Sequence, residues 1–186
     1  NSLLETVVFG RRAGRRASKL AGEEPWPALS RTAVSRCLEA WAPLLAGCTQ
    51  GKQEDSPFEI RQEATLLMTR QVGVFREGGE LKDAVERLVG LKERYRKLEP
   101  PTGAQPYHYG LMDYLELGYL LDLCELIARG ALRRTESRGA HFRLDYSRRD
   151  DRNWLCHTFA CRGEKGPEFS GGTVSITRYE PQERGY

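Results

Sequence analysis

Residues 110–137 read GLMDYLELGYLLDLCELIARGALRRTES. Leu111, Leu115, Tyr119 and Leu126 recur at helical spacing, and Leu120, Leu123, Ile127 and Leu132 widen the stripe. A stripe this broad predicts a central helix buried on much of its circumference, and so a fold assembled from helices around it. Working toward the N-terminus, ELKDAVERLVGLKERYRKL (80–98) places Leu81, Val85, Leu88 and Leu91 on one face and paired charges on the other. Before it, Ser56 reads as a helix cap, with Pro57 at the first helical position, where its missing amide proton costs nothing. That helix runs through FEIRQEATLLMTRQ, and VGVFREGG interrupts the chain before the next one.

The first residues, Ser2-Leu3-Leu4-Glu5, fit a capping box, and Leu3, Leu4, Val7 and Val8 continue at helical spacing, so a helix is expected over about 3–21. Arg11, Arg12, Arg15, Arg16 and Lys19 crowd its second half. The like-charged pairs at four-residue spacing are mildly unfavourable, while the C-terminal end of a helix dipole welcomes cations. A solvated helix end and a contact with acidic groups of a partner both fit. GEEPWPALSRT reads as a link, TAVSRCLEAW as a shorter helix, and GCTQGKQEDSP and EPPTGAQP as loops. Toward the C-terminus, WLCHTFACR and GTVSITRY are rich in β-branched and aromatic residues and read as the two strands of a hairpin. The expected fold is mainly α, a helical bundle of about three long helices plus shorter ones, with a C-terminal β-hairpin. Its expected divisions are an N-terminal helix over 1–22, a bundle over 23–155, and the hairpin and tail over 156–186.

Of 186 residues, 39% are hydrophobic and 30% charged, and the net charge is +3. Such a composition suits one folded domain and makes no general case for nucleic-acid binding. No apolar run approaches the ~20 residues that a membrane helix needs. The five cysteines, Cys37, Cys48, Cys124, Cys156 and Cys161, are odd in number and contain no CxxC, which suits reduced thiols. Cys156, His157 and Cys161 are too close along one strand to converge easily on a metal. No phosphate loop, dinucleotide fingerprint, HExxH or nucleophile signature is present, so no catalytic residue and no metal ligand is assigned.

Within 133–152 stand seven arginines and four carboxylates, Glu136, Asp145, Asp150 and Asp151. Arg133, Arg134 and Arg138 are expected in the last turns of the long helix, with Gly139 ending it in a left-handed conformation. Arginine pairs bidentately with carboxylates, so this density suggests an ion-pair network that shapes a loop. A catalytic reading needs an arginine left unpaired.

The stretch ESRGAHFRLDYSRRDDRNWLCHT (136–158) resembles a C-terminal motif of the flavoprotein subunit of succinate dehydrogenase and fumarate reductase. NSLLETVVFGRRAG (1–14), VGVFREGGELKDAVERLVGLKERY (72–95) and ITRYEPQERGY (176–186) are similar to other segments of that family, in the same order. Residues from about 22 to 55 depart from it. The resemblance implies the helical C-terminal domain of an FAD-dependent oxidoreductase that interconverts succinate and fumarate by hydride transfer at the flavin. The dinucleotide fold, the substrate arginine and the capping-domain groups would lie upstream, so a chain beginning without methionine reads as a piece of a longer one. Of the cofactor contacts, Ser2 and Leu3 alone carry over, through backbone that approaches the flavin ring. The implied partners are the upstream FAD-binding domain and an iron–sulfur subunit, without nucleic acid and without direct membrane insertion. The implied place is cytoplasmic, peripheral at the inner membrane face. Arg138, His141, Arg143, Asp150, Asp151 and Trp154 would then hold a structural junction. L-aspartate oxidase, with a similar NSLLE…VFGRRA opening, stays open as an alternative, as does a free-standing helical interaction module.

Overall fold

The structure, a computed structural model, describes residues 2–26, 28–46, 55–101, 107–164 and 166–182. Its helices are α1 (Ser2–Glu23), α2 (Arg31–Ala46), α3 (Pro57–Gln71), α4 (Gly78–Lys97), α5 (Tyr109–Arg133) and the single turn α6 (Asp151–Trp154). Four strands complete it: β1 (Phe75–Arg76), β2 (Phe142–Arg143), β3 (Cys156–Gly163) and β4 (Gly166–Thr173). The fold is mainly α with a C-terminal antiparallel hairpin, as the periodicity predicts. The chain divides into two compact units, Asn1–Pro43 and Leu44–Tyr186.

The first unit holds α1 and most of α2. The helix begins at Ser2, one residue before its expected start, and the side chain of Ser2, which was to cap it, lies outside the described residues. Leu3, Leu4, Val7 and Val8 are exposed, as are Val34, Leu38 and Trp41, which fall on one face of α2. No described side chain of this unit is buried. The arginines of α1 do not sit at its end. The helix continues to Glu23 and has no basic residue in its last turn, so the dipole does little for Arg11 and Arg12.

The second unit is built around α3, α4 and α5. Ile60, Ala64 and Leu67 of α3 meet Leu81, Ala84, Leu88 and Leu91 of α4 and Leu117, Leu121 and Ala128 of α5 in one core. Alanines at three of these positions let the helix backbones approach closely. The start of α3 follows the local code. Ser56 Oγ accepts from the Glu59 amide, and Glu59 Oε2 accepts from the Ser56 amide, both at 3.1 Å, with Pro57 in the first turn. Arg94 of α4 then ties this start down, donating to both Asp55 oxygens at 2.9 and 2.6 Å and to Glu63 at 2.6 Å. In α4 the predicted face is the buried one, Leu81, Val85, Leu88 and Leu91 with Ala84.

For α5 the expected face is displaced. The buried stripe is Tyr114, Leu117, Leu121, Cys124, Ala128 and Ala131, whereas Tyr119, Leu123 and Ile127 are exposed at 62, 57 and 50%. Leucine occurs on nearly every side of this helix, so periodicity alone does not choose among faces; the small residues Cys124, Ala128 and Ala131 mark where α3 and α4 pack.

The hairpin differs from expectation in its second strand. Residues 172–179 were expected to pair, but β4 spans Gly166–Thr173 and faces β3 with Gly163 opposite Gly166 and Cys156 opposite Thr173. The β-branched Val174 and Ile176 look like strand, yet they lie beyond it. Pairing is set by the reversal near Gly166, whose φ of 123° favours glycine. Gly172, a poor strand former, is covered by the Phe159 ring; a Cβ there would stand 2.3 Å from it. Of the expected loops over 47–57 and 99–106, residues 47–54 and 102–106 lie outside the described residues.

Candidate functional site

The segment after α5 carries the densest charge, and its geometry begins with where the helix stops. It ends at Arg133, not beyond Ser137, so the expectation that Arg134 and Arg138 lie in its last turns does not hold. The reason is Arg143, only 2% exposed, whose Nη1 donates to the carbonyls of Ala131 and Leu132 at 2.9 and 3.1 Å. A guanidinium from ten residues downstream thus caps the helix. Arg143 also grips Asp145 with two parallel bonds, Nε to Oδ1 at 2.7 Å and Nη2 to Oδ2 at 2.6 Å. Asp145 Oδ2 accepts in turn from the Gly78 amide at 3.1 Å, at the start of α4. One ion pair therefore joins the end of α5 to the beginning of α4.

Gly139 does adopt a left-handed φ of 59°, but in a tight turn rather than at a helix end. Arg138 and His141 close that turn with mutual backbone bonds of 2.8 and 3.0 Å. The turn aims His141 back at the scaffold: its Nε2 lies 3.0 Å from the Arg134 carbonyl, and Arg76 Nη1 donates to its Nδ1 at 2.8 Å. Arg76 in turn donates through Nε to the carbonyls of Val72 and Gly73 at the end of α3. The parallel pairing of β1 with β2, Phe75 opposite Phe142 and Arg76 opposite Arg143, sets these two helix-capping arginines side by side.

Glu136 is the centre of the rest. It is fully buried, and four donors surround it. Arg134 Nη1 bonds to Oε1, Arg138 Nε donates to Oε1 at 2.7 Å, and Arg138 Nη2 and the Asp150 amide donate to Oε2 at 3.0 and 2.7 Å. Arg134 further donates to the carbonyls of Trp154 and Cys156 at 3.0 and 2.9 Å and lies over the Trp154 ring at 5.1 Å. Trp154 Nε1 donates to Thr135 Oγ1 at 3.1 Å, and Asp150 caps α6 by accepting from the Asn153 amide at 3.1 Å. Asp151 receives Arg138 and Arg149, each at 2.6 Å.

Arg138, His141, Arg143, Asp150, Asp151 and Trp154 are thus brought together as a junction. Sequence reasoning underrated Glu136, Arg134, Asp145 and Arg76. A signal existed for Glu136, an acid two residues from arginines on both sides; Arg76 had none, because its partner lies 65 positions away. Arg134, Arg138, Arg143 and Arg149 each hold a carboxylate, so none of these four is left over for a substrate. Leu3, expected at a cofactor, lies exposed in the first turn of α1. Among the described residues no His, Cys, Asp or Glu group is arranged to hold a metal ion.

The electrostatics of the junction make it sensitive to acid. Burial pushes His141 below its ordinary 6.5, and the charges of Arg76, Arg143 and Arg134 reinforce it against the opposing Arg134 carbonyl. Burial works to raise the Glu136 carboxyl, but Arg138, the Asp150 amide and Arg134 outweigh it and hold it low. Hydrogen bonds from Arg149 and Arg138 bring Asp151 down to about 2. All three groups bind protons more weakly folded than unfolded, so stability is complete above their unfolded pKa values and lost as pH falls through the folded ones. Urea unfolding from about pH 8 to about pH 3 is expected to show two stages, histidine first below about 6.5 and carboxylates below about 4.5. His141→Gln should remove the upper stage and leave the lower one; an unchanged upper stage would assign it elsewhere.

Comparison with known proteins places this architecture. Residues 61–186 match the family model described as fumarate reductase flavoprotein C-term. The fumarate reductase flavoprotein subunit of Haemophilus influenzae is 36% identical over 187 residues, covering 100% of this chain and 31% of the relative. The succinate dehydrogenase flavoprotein subunit of Coxiella burnetii is 35% identical over 85% of this chain and 26% of its own length. Among solved structures, a quinol–fumarate reductase with menaquinol molecules superposes with a TM-score of 0.82 at 30% identity, covering 98% of this chain and 32% of that one. An Escherichia coli quinol fumarate reductase variant gives 0.78 at 32% identity with the same coverage. The chain spans about a third of the length of the curated relatives it matches. On the family-model match and these relatives, this chain belongs to the flavoprotein family of fumarate reductase and succinate dehydrogenase, of which it is the C-terminal part.

Proposed function

We propose that this chain completes an FAD-dependent oxidoreductase that interconverts succinate and fumarate, bracing its flavin domain and docking an iron–sulfur subunit. The observation that carries this reading is the first unit. Leu3, Leu4, Val7 and Val8 of α1 and Val34, Leu38 and Trp41 of α2 are exposed, and no described residue of the unit is buried. Helices with apolar faces and no core of their own gain stability by covering those faces with other polypeptide. A flavin domain upstream of α1 is the natural cover.

The same helix supplies the proposed cofactor contact. Because α1 begins at Ser2, its first-turn amides have no intrahelical acceptor and carry the positive end of the helix dipole. Ser2 and Leu3 would hold the electron-rich edge of FAD by backbone, a role that suits an exposed Leu3 and needs no particular side chain. When bound, the flavin supplies the hydride acceptor or donor. Ser2 and Leu3 would position it, while the junction at Glu136 and Arg143 holds the helices of the second unit in register. Among the described residues no helix is long and apolar enough to cross a membrane, so attachment at the inner membrane face would come through partner subunits.

The test compares the full-length protein with this chain alone. The full-length, FAD-loaded protein is expected to oxidise succinate with an artificial acceptor, and the 186-residue chain given FAD is expected to show no turnover. Turnover by the chain alone would overturn the assignment of catalytic groups to the upstream part. Oxidation of L-aspartate but not succinate by the full-length protein would favour the aspartate oxidase reading.

A further inference from the structure

His141 has two partners that together settle which of its nitrogens carries the proton. Arg76 Nη1 stands 2.8 Å from Nδ1, and a guanidinium can only donate, so Nδ1 accepts. The Arg134 carbonyl stands 3.0 Å from Nε2 and can only accept, so Nε2 donates. The ring is therefore neutral, with its proton on Nε2. A second proton can go only to Nδ1, where it turns the acceptor into a donor facing a cation at hydrogen-bond distance. Arginine cannot yield a proton instead.

The surroundings offer that proton no counterion. Arg76 faces the ring from β1, Arg143 from β2, and Arg134 from the residue that follows α5. Asp145 is engaged by Arg143, Glu136 by Arg134 and Arg138, and Asp151 by Arg138 and Arg149. Arg76 has no carboxylate partner among the described residues; its guanidinium meets His141 and the carbonyls of Val72 and Gly73.

The two side chains hold together a contact that is otherwise slight. β1 and β2 are two residues each, extended by the Leu144 amide, which donates to the Arg76 carbonyl at 2.7 Å. So short a parallel pair is marginal by itself. Arg76 Nε stays on the end of α3 and His141 Nε2 on the carbonyl after α5, so repulsion between Nη1 and Nδ1 drives the strands apart. Val74 and Phe75 are exposed, so β1 can leave without opening the core of α3, α4 and α5.

We infer that Arg76 and His141 form a proton-operated latch: neutral His141 holds β1 against β2, and protonation releases the link over 72–77 while the helical core stays folded. Burial and the three guanidinium groups hold His141 below its ordinary 6.5. The latch is therefore closed at neutral pH and opens as pH falls through the folded value. The carboxylates of the junction are held low and stay charged over that range, so the ion pairs at Glu136 and Asp151 outlast the latch.

The experiment is hydrogen exchange on the full-length, FAD-loaded protein, with rates corrected for the intrinsic effect of pH; the readout needs no turnover. Between about pH 8 and about pH 5, peptides covering 72–77 and 140–146 are expected to lose about tenfold in protection, while the middle of α5 keeps its own. His141→Gln keeps one acceptor and one donor but has no proton to gain, so its profile should be flat over this range. Imidazole nitrogen NMR at about pH 8 should show His141 with its proton on Nε2. Constant protection at both strands would mean that protonation opens nothing, and an equal loss in α5 would mean that acid loosens the whole unit; either overturns the latch. So does a His141→Gln protein that responds to pH like wild type, or a His141 ring protonated on Nδ1 at about pH 8. Should His141→Gln fail to fold, the wild-type exchange profile decides alone.

Discussion

Glu136→Gln is expected to destabilise the second unit by about 3–5 kcal/mol. The carboxylate has no exposed surface and faces two guanidinium groups, Arg134 and Arg138. Glutamine keeps the shape but removes the countercharge and turns an amide NH2 toward donors. Two buried or half-buried cations are then left facing each other, the situation in which breaking a buried pair costs most. Against a total stability of about 5–15 kcal/mol for a domain, this is a large fraction. A fall in urea midpoint at unchanged slope is the expected result. Asp151→Asn is the contrasting control. Its carboxylate binds Arg138 and Arg149 at similar distances but is 45% exposed, so water replaces much of what is lost, and a much smaller loss than at Glu136 is expected. Equal losses at the two positions would mean that burial does not set the strength of this network.

The second large effect is expected at Arg143. Arg143→Met should cost about 3–5 kcal/mol, because Asp145 loses its partner and the last carbonyls of α5 lose their donor. Arg143→Lys should recover less than about half of this, since one ammonium cannot serve both oxygens of Asp145 and two carbonyls at once. The loss has an address as well as a size. Amide exchange should quicken at Gly78, whose N–H is held by Asp145, and in the last turn of α5. If Lys proved equivalent to Arg, charge alone would explain the site and the fork geometry would be irrelevant.

These two residues also show how far the chain is legible one position at a time. The cap at Ser56, the apolar face of α4 and the existence of α5 could be read directly, because each depends on neighbours within a turn or two. The apolar face of α5 could not. Leucines surround that helix, and its buried stripe runs through Cys124, Ala128 and Ala131, whose small size matters only once α3 and α4 are in place. The hairpin was visible in outline, but its second strand was displaced, because Val174 and Ile176 carry the β signal while Gly166 carries the turn.

The arginine-rich segment divides in the same manner. Its density made a network foreseeable, and the resemblance of its Arg-Gly-Ala-His run pointed to a structural junction. The network's topology was not foreseeable. Arg143 stops a helix ten residues upstream, Arg76 reaches His141 across 65 positions, and Glu136 collects donors from three separate places. By itself the sequence determined that this protein is a helical domain with a terminal hairpin and which family it resembles, since periodicity, caps and motifs are local properties of the chain. Only the tertiary structure decided which charges are buried, which helix ends they close, and that the arginines of α1 stay unpaired among the described residues while those of the junction do not. A carboxylate's partners depend on which segments fold against it, and no spacing along the chain specifies that.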